Sequence, residues 1–453
     1  MRHPHLKYSG SVARVFYCAY MVSVALFLVP IHFVIFLSKN RRPRASWSLT
    51  QAISIKFLQR MHRMTELSNL SFHVNNPFSM GQHGKHTHFK FVKTLSTDKR
   101  IGVLDTDAED MHTQVGTYIW PRHRHDKVYT EQEHLHTDPE SGTLPLVGIA
   151  IHGGAYVHMS ADEKCSTSII PKRLMESGTF LEIHSVEYRL IHHSAFPGAL
   201  LDVASVFDYL ITERKVPPSR IVIIGDSAGG NLALALARFI RDERIQDTPA
   251  GLLLLSPWCD PSFSYPFDPS AQRRRPNAGV DYLMDTPVPR AIIIESFIGC
   301  TAGNGQGCPT CTQQQSRTFI SKSLFKQRQD SQGRKSIRHS ILPQHISVHS
   351  PYISPSSLHL KDEEDLFEHF PPSFVSYGTA ERLEDEIKVL IERMERNKIE
   401  LTVNVAKDGV HDLLILGHWD EKQRRGIWED IFVWCDGLMH RQTEDRRVDS
   451  VKN

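Results

Sequence analysis

One short stretch, residues 221–231, constrains the fold of this chain more than any other. It begins with four β-branched residues, which favour a buried strand, and it runs into an alternation of Leu and Ala at 232–237, which favours a helix. Between them lies Gly225-Asp226-Ser227-Ala228-Gly229. Glycines flank the serine because strand and helix pass close to a strained backbone there. The stretch predicts a sharp strand-to-helix turn that exposes the Ser227 hydroxyl.

The chain from residue 144 onward alternates strands with helices. Strands are predicted at 146–151, 180–188, 220–225, 251–258, 374–378 and 401–405, with helices at 169–177, at 199–214 and after Ser227. Such alternation gives a parallel sheet with helices on both faces. Two alternating runs at 88–92 and 116–120 predict an antiparallel start to that sheet. The predicted fold class is α/β, with a mostly parallel central sheet.

An apolar segment precedes this region. Residues 15–37 contain no Asp, Glu, Lys or Arg, and a helix of that length, roughly 35 Å, can cross a bilayer. The basic run at 39–44 ends the segment with charged residues rather than the small residues of a cleavage site. We therefore expect an uncleaved, single-pass membrane anchor. The helical pattern within 47–72 is interpreted as part of a lid or as a helix along the membrane surface.

The side of the membrane stays open at this stage. The basic run at 39–44 favours a cytosolic main domain, whereas Asn69-Leu70-Ser71 is a glycosylation sequon that is used only in the lumen.

Composition limits the partners and cofactors. A formal net charge of +2 gives no field suited to nucleic acid, and seven widely spread Cys do not fix the redox compartment. The histidines His83, His86 and His88 lack accompanying ligands, and Cys308 and Cys311 form only half of a zinc ribbon. We expect no nucleic acid, no metal site and no cofactor, and the oligomeric state is left open.

A serine nucleophile needs a base, an acid that orients the base, and donors for the oxyanion. In a parallel sheet these groups lie at the carboxyl ends of strands, in the chain order Ser, acid, His. Glu381 follows the strand at 374–378 and is the candidate acid, with Asp385 as its rival. His411 follows the strand at 401–405 and is the candidate base, ahead of a predicted apolar helix.

Three backbone amides are candidates for the oxyanion hole. The strand at 146–151 ends at His152-Gly153-Gly154, which leaves the amides of Gly153 and Gly154 unobstructed. The amide of Ala228 follows the nucleophile at a helix start, where the helix dipole favours negative charge. His152 precedes the nucleophile in the chain and is interpreted as structural.

Several motifs in order resemble the hormone-sensitive-lipase-like α/β hydrolases. They are His152-Gly153-Gly154, 186–190 with Phe196-Pro197, 225–231, Ser256-Pro257-Trp258, Ser350-Pro351-Tyr352, 378–386 and His411. The resemblance implies an α/β-hydrolase fold, an N-terminal lid and a triad of Ser227, Glu381 and His411. Two departures are an acid, Glu381, where the family usually has Asp, and Ala155 in place of a frequent third Gly.

Composition and patterning, together with the resemblance, predict a division of the chain. A basic tail (1–14), an anchor (15–37) and a membrane-proximal segment with a lid (38–85) precede an α/β-hydrolase domain (86–440). An insertion without periodicity (301–345) interrupts that domain, and a polar tail (441–453) ends the chain.

The layout is similar to that of the steryl acetyl hydrolases and arylacetamide deacetylases of the endoplasmic reticulum membrane. The expected activity is serine ester hydrolysis through an acyl-enzyme, on acetyl or short acyl esters of a small hydrophobic alcohol such as a sterol. The alternatives are an amidase that uses the same residues and a non-catalytic binding protein on the same fold.

Overall fold

The computed structural model describes residues 10–68, 70, 73–105, 113–124, 144–265, 277, 279–283, 347–360 and 365–452. The predicted insertion at 301–345, the sequon residue Asn69 and the pair Cys308 and Cys311 lie outside these residues.

An eight-stranded sheet forms the centre of the molecule, in the order β1-β2-β4-β3-β5-β6-β7-β8. The strands β1 and β2 pair antiparallel, as do β2 and β4, and every other neighbouring pair is parallel. This order confirms the predicted mostly parallel sheet with its antiparallel start. The strands are β1 His88–Lys93, β2 Gln114–Trp120, β3 Leu146–Ile151, β4 Phe180–Glu187, β5 Ile221–Asp226, β6 Gly251–Leu255, β7 Ser373–Gly378 and β8 Leu401–Ala406.

Helices cover both faces of the sheet. In β5, Ile221 and Ile223 belong to the core on one face, whereas Val222 and Ile224 belong to the core on the other. A central parallel strand buried on both faces explains the continuous apolar run seen in the sequence. The helices are α1 Ser11–Phe36, α2 Leu49–Ser68, α3 Ile169–Glu176, α4 Gly198–Thr212, α5 Ala228–Glu243, α6 Glu384–Arg396 and α7 Glu421–Lys452.

The first two helices pack against each other as a hairpin. Tyr17 and Met21 of α1 contact Met64 of α2 at one end, and Phe36 shares a core with Trp47 and Ile55 at the other. The outward face of α1 exposes large apolar side chains along its length. By length and composition, the segment Val12–Phe36 could cross a membrane, although a signal sequence passes the same test.

The last helix, α7, extends beyond the α/β-hydrolase domain as the sequence analysis bounded it. The region assigned to a polar tail, 441–453, continues α7 as a helix to Lys452. Arg441 on this helix pairs with Glu400, next to β8.

The turn between β5 and α5 provides a test of stability. A Cβ atom at Gly229 would lie 1.9 Å from the Ile151 carbonyl oxygen, whereas a Cβ at Gly426 in α7 meets nothing within 4 Å. We expect Gly229→Ala to lower the free energy of unfolding by about 2 to 3 kcal/mol, because the backbone must shift to relieve the clash. Gly426→Ala is the matched control and should raise it by about 0.5 to 1 kcal/mol through helix propensity. Thermal unfolding of both variants measures the difference, and equal effects would contradict this close approach.

Candidate active site

Ser227 lies at the turn that the sequence predicted. The strand β5 ends at Asp226, α5 begins at Ala228, and Ser227 between them has φ 50° and ψ −116°. A positive φ is strained for a residue with a side chain, and such strain concentrates at functional sites. The turn holds the Ser227 hydroxyl at the carboxyl edge of the sheet, with only 8% of the residue exposed.

His411 contacts this hydroxyl directly. Its Nε2 atom lies 2.9 Å from Ser227 Oγ, and the residue is 3% exposed. The base candidate is held on the loop after β8, where Ala380 N donates to the Gly409 carbonyl. The apolar helix predicted after His411 is instead one 3-10 turn, Leu413–Ile415, because Leu413 and Leu414 turn directly into the core.

Glu381 is fully buried close to His411. Its Oε2 atom accepts hydrogen bonds from Ser256 Oγ at 2.7 Å and from the Gly378 amide at 3.0 Å. Burial raises the pKa of the Glu381 carboxyl to about 8, and the charge of His411 and the two donors oppose that rise. Within the described part of the chain, Glu381 Oε1 and His411 Nδ1 are both buried without a hydrogen bond.

The rival acid lies elsewhere. Asp385 is only partly buried in the first turn of α6, where acidic residues suit the helix dipole. Its backbone carbonyl accepts a hydrogen bond from Tyr265 Oη at 3.4 Å. Of these two candidates, Glu381 is the one whose buried carboxyl interacts with the charge of His411.

Two further carboxylates, which the sequence analysis did not single out, also face His411. Asp412 Oδ2 lies 3.1 Å from His411 Nε2. Asp281 accepts hydrogen bonds from the amides of Arg382 and Tyr282, both at 2.7 Å, and from the His411 amide. Asp281 thus connects the loops that carry Glu381 and His411.

These charges set the basicity of His411. Burial alone lowers its pKa, but Asp412, Glu381 and Asp281 outweigh burial and raise the pKa to about 9. The Asp412 carboxylate at 3.1 Å from Nε2 thus favours the protonated form of His411.

The loop after β3 supplies the candidate oxyanion donors. The Gly153 amide donates to Asp226 Oδ2 at 3.0 Å, so this amide already has an acceptor. Gly154 and Ala155 follow with φ values of 104° and 52°, and their amides form no hydrogen bond within the described residues. The Ala228 amide is the first of α5. Ala155, like Gly154 a residue with positive φ, is a candidate donor that the sequence analysis did not include.

His152 and Asp226 lie behind this loop. The His152 ring stacks on Tyr188 with centroids 4.3 Å apart, and burial lowers its pKa to about 4. Burial raises the pKa of the Asp226 carboxyl well above its usual range, and the Asp412 charge adds to that rise. Both side chains support the loop, and the contact to Ser227 Oγ comes from His411 instead.

The helix α2 lies against the site. Gln59 Nε2 donates to the carbonyls of Gly279 at 2.9 Å and Asp281 at 2.7 Å, and Lys56 Nζ donates to Gly279 at 2.9 Å. Partial burial, with the charges of His158 and His411, lowers the pKa of His62 on α2 to about 4. The helix therefore holds the turn that carries Asp281 and places a side chain near the base.

The histidines considered for a metal make other contacts. His83 stacks on His88 with centroids 4.3 Å apart, and His86 stacks on Trp120 at 6.5 Å. Among the residues that the structure describes, no group of three or more His, Cys, Asp or Glu side chains could hold a metal ion.

Comparison with known proteins agrees with the observed fold. A family model described as alpha/beta hydrolase fold matches residues 149–298. Neutral cholesterol ester hydrolase 1 of Bos taurus is 26% identical over 62% of this chain and 70% of its own length. An acetyl-hydrolase of Streptomyces hygroscopicus is 31% identical over 24% of this chain. Versiconal hemiacetal acetate esterase of Aspergillus parasiticus is 32% identical over the same share.

The match spans only 35% and 33% of the length of the last two relatives. The family model and the three relatives agree with the fold class that the strand order shows. Together they show that the chain has the α/β-hydrolase fold, and they agree with its resemblance to the hormone-sensitive-lipase-like hydrolases.

Proposed function

We propose that the protein is a serine carboxylic-ester hydrolase that acts through an acyl-enzyme. The observation that carries the proposal is the 2.9 Å contact between Ser227 Oγ and His411 Nε2 at a strained turn. A serine hydroxyl becomes nucleophilic only when a base accepts its proton, and this contact supplies the base.

In the proposed reaction, Ser227 Oγ attacks the ester carbonyl while its proton passes to His411 Nε2. His411 then gives that proton to the departing alcohol, and the acyl group stays on Ser227. A water molecule then attacks the acyl group on Ser227 while His411 accepts its proton. His411 returns that proton to Ser227 Oγ, and the carboxylic acid is released. Glu381 is proposed as the acid of the triad, because its free Oε1 and the free Nδ1 of His411 complement each other.

The oxyanion is proposed to bind to backbone amides. The amides of Gly154 and Ala228 keep the roles expected from the sequence, whereas that of Gly153 already donates to Asp226. We add the Ala155 amide as the neighbouring donor, because within the described residues it has no acceptor.

The proposed substrate is an acetyl or short acyl ester of a hydrophobic alcohol such as a sterol. Support comes from the names of the relatives, which include an acetyl-hydrolase, an acetate esterase and a cholesterol ester hydrolase. One face of α1 packs against α2, the helix beside the site, and the other face exposes apolar side chains. Such an exposed apolar face suits a substrate that partitions into lipid.

We further propose that α1 anchors the protein in a membrane, with the endoplasmic reticulum as the compartment. The apolar helix Val12–Phe36, which carries no Asp, Glu, Lys or Arg from residue 15 onward, and the basic residues that follow it support an anchor rather than a cleaved signal. Because α1 packs on α2, the anchor would keep α2, the helix that lies against the site, at the membrane surface.

Covalent labelling of the full chain in detergent tests the function. We expect a fluorophosphonate to modify Ser227, as seen by peptide mass spectrometry, and to block hydrolysis of a nitrophenyl acetate ester. Acetate esters of sterols should be cleaved faster than long-chain sterol esters, and nitrophenyl esters faster than the matching anilides. Faster anilide cleavage would indicate an amidase, and a chain that neither reacts nor turns over would indicate a binding protein.

A further inference from the structure

The reactive nitrogen of His411 faces two oxygen atoms. Nε2 lies 2.9 Å from Ser227 Oγ and 3.1 Å from Asp412 Oδ2. The side chains of His411 and Asp412 are only 3% and 6% exposed, so little water screens the contact between them. The Asp412 carboxylate therefore lies on the nucleophile side of the base, whereas an orienting acid belongs on the Nδ1 side.

The backbone holds Asp412 in this place. Its φ of 45° is in the left-handed region, which Asp adopts more readily than most residues. Its amide donates to Ser256 Oγ at 3.1 Å, and the same hydroxyl donates to Glu381. Asp412 Oδ1 is buried and has no hydrogen bond within the described part of the chain. Within the described part of the chain, the polar atom that contacts the Asp412 carboxylate is thus His411 Nε2.

We propose that Asp412 is a positioning residue that holds a proton on His411 Nε2 in the resting enzyme and stabilises the imidazolium that forms when Ser227 attacks. The inference rests on the proposed ester hydrolysis. It goes beyond the triad, because it assigns a second carboxylate to the opposite nitrogen of the base.

The chemistry of the contact gives the reason. Nε2 of a neutral imidazole that accepts the Ser227 proton is an acceptor, and a carboxylate oxygen is also an acceptor, so the two repel. A proton on Nε2 turns the contact into a charge-assisted hydrogen bond. During acylation, the Ser227 proton moves to Nε2 as the bond from Oγ to carbon forms. That proton then leaves with the alcohol, and Asp412 stabilises the charged state between these steps.

Other titratable groups face His411 from the surrounding elements, and they also affect its charge. They are Glu381 after β7, Asp281 and Tyr282 in the turn held by α2, Asp226 at the end of β5, and His62 on α2. Among these carboxylates, Asp412 is the one that contacts Nε2 itself, at 3.1 Å. Because the base must be neutral to accept the Ser227 proton, kcat/KM rises with pH as His411 loses its proton.

The pH profile of the full-length enzyme tests the role of Asp412. Asp412→Asn removes the charge, and Asp412→Gly removes the side chain while fitting a positive φ. We expect the acid limb of kcat/KM to move down by about one to three pH units in both variants. Activity at pH 6 relative to pH 9 then increases about tenfold or more. Acid release from an acetate ester of a non-ionising alcohol, followed by pH-stat, gives the profile.

Asp408→Asn is the matched control. Asp408 lies on the same loop, also has a positive φ of 54°, and pairs with Arg44 at 3.3 Å. Its loss should leave the acid limb in place. An unmoved acid limb in both Asp412 variants, or an equal movement in Asp408→Asn, would overturn the inference. Absence of turnover in the unmodified enzyme would instead overturn the proposed function.

Discussion

Replacement of Ser227 by Ala is expected to lower kcat/KM toward a nitrophenyl acetate ester by ~10⁴-fold or more. The alanine keeps the backbone of the turn but removes the atom that attacks the carbonyl and the proton that His411 accepts at 2.9 Å. Substrate binding and the oxyanion amides remain, so a small residual rate over water is expected. The KM should change much less than kcat, because the hydroxyl acts in the chemical steps.

A second buried serine gives the matched control for this loss. Ser205 on α4 donates to the Leu201 carbonyl at 2.6 Å and accepts from the Leu95 amide at 2.8 Å. We expect Ser205→Ala to lower the free energy of unfolding by about 1 kcal/mol without affecting kcat. If Ser227→Ala kept full activity, the nucleophile would be another residue and the proposed mechanism would fail.

The sequence of strands and helices along the chain could be predicted because the signals for each element are local. Each parallel strand is a short apolar run buried on both faces, and each following helix has its own periodicity, so the predicted strands agree with the observed ones to within a few residues. The turn at Ser227 was predictable for the same reason, since Gly225 and Gly229 occur where backbone segments approach closely. The extent of α7 was not, because its last residues carry too many charges to show an apolar face.

The details of the site depend on contacts that no pattern records. Asp412 follows His411 in the chain, and only the left-handed backbone turns its carboxylate toward Nε2. Asp281 lies about one hundred residues from Arg382 and 130 from His411, and its role exists only because α2 holds its turn against the site. The direction of the Gly153 amide depends on the buried carboxyl of Asp226. Such features follow from tertiary packing rather than from residue spacing.

The surroundings of Glu381 determine what an amide in its place would do. Its Oε2 atom accepts from two donors, the Gly378 amide and the Ser256 hydroxyl. In Glu381→Gln, the amide oxygen must take that position, because an NH2 group there would face the Gly378 donor. The NH2 group of the glutamine then points toward His411 Nδ1. Nδ1 must accept, so the ring carries its proton on Nε2 and cannot take the proton of Ser227.

We therefore expect Glu381→Gln to lower kcat by ~10³- to 10⁴-fold at the pH of maximal activity. Unlike the change at Asp412, this loss should persist across the pH range, because it comes from the wrong tautomer rather than from a shifted titration. Steady-state rates from pH 6 to pH 10 measure it, a range chosen to extend about one unit beyond the raised pKa of His411. Glu381→Asp keeps a carboxylate, and we expect it to recover at least ~10-fold over the glutamine variant.

Asp385→Asn completes the comparison, because Asp385 is the acid that the sequence left as a rival. Its side chain lies partly exposed at the start of α6, so we expect its loss to change kcat by less than about twofold. A larger loss in Asp385→Asn than in Glu381→Gln would move the acid of the triad to α6. Because β7 and its loop place Glu381 in the protein interior, that result would also require the loop to rearrange when substrate binds.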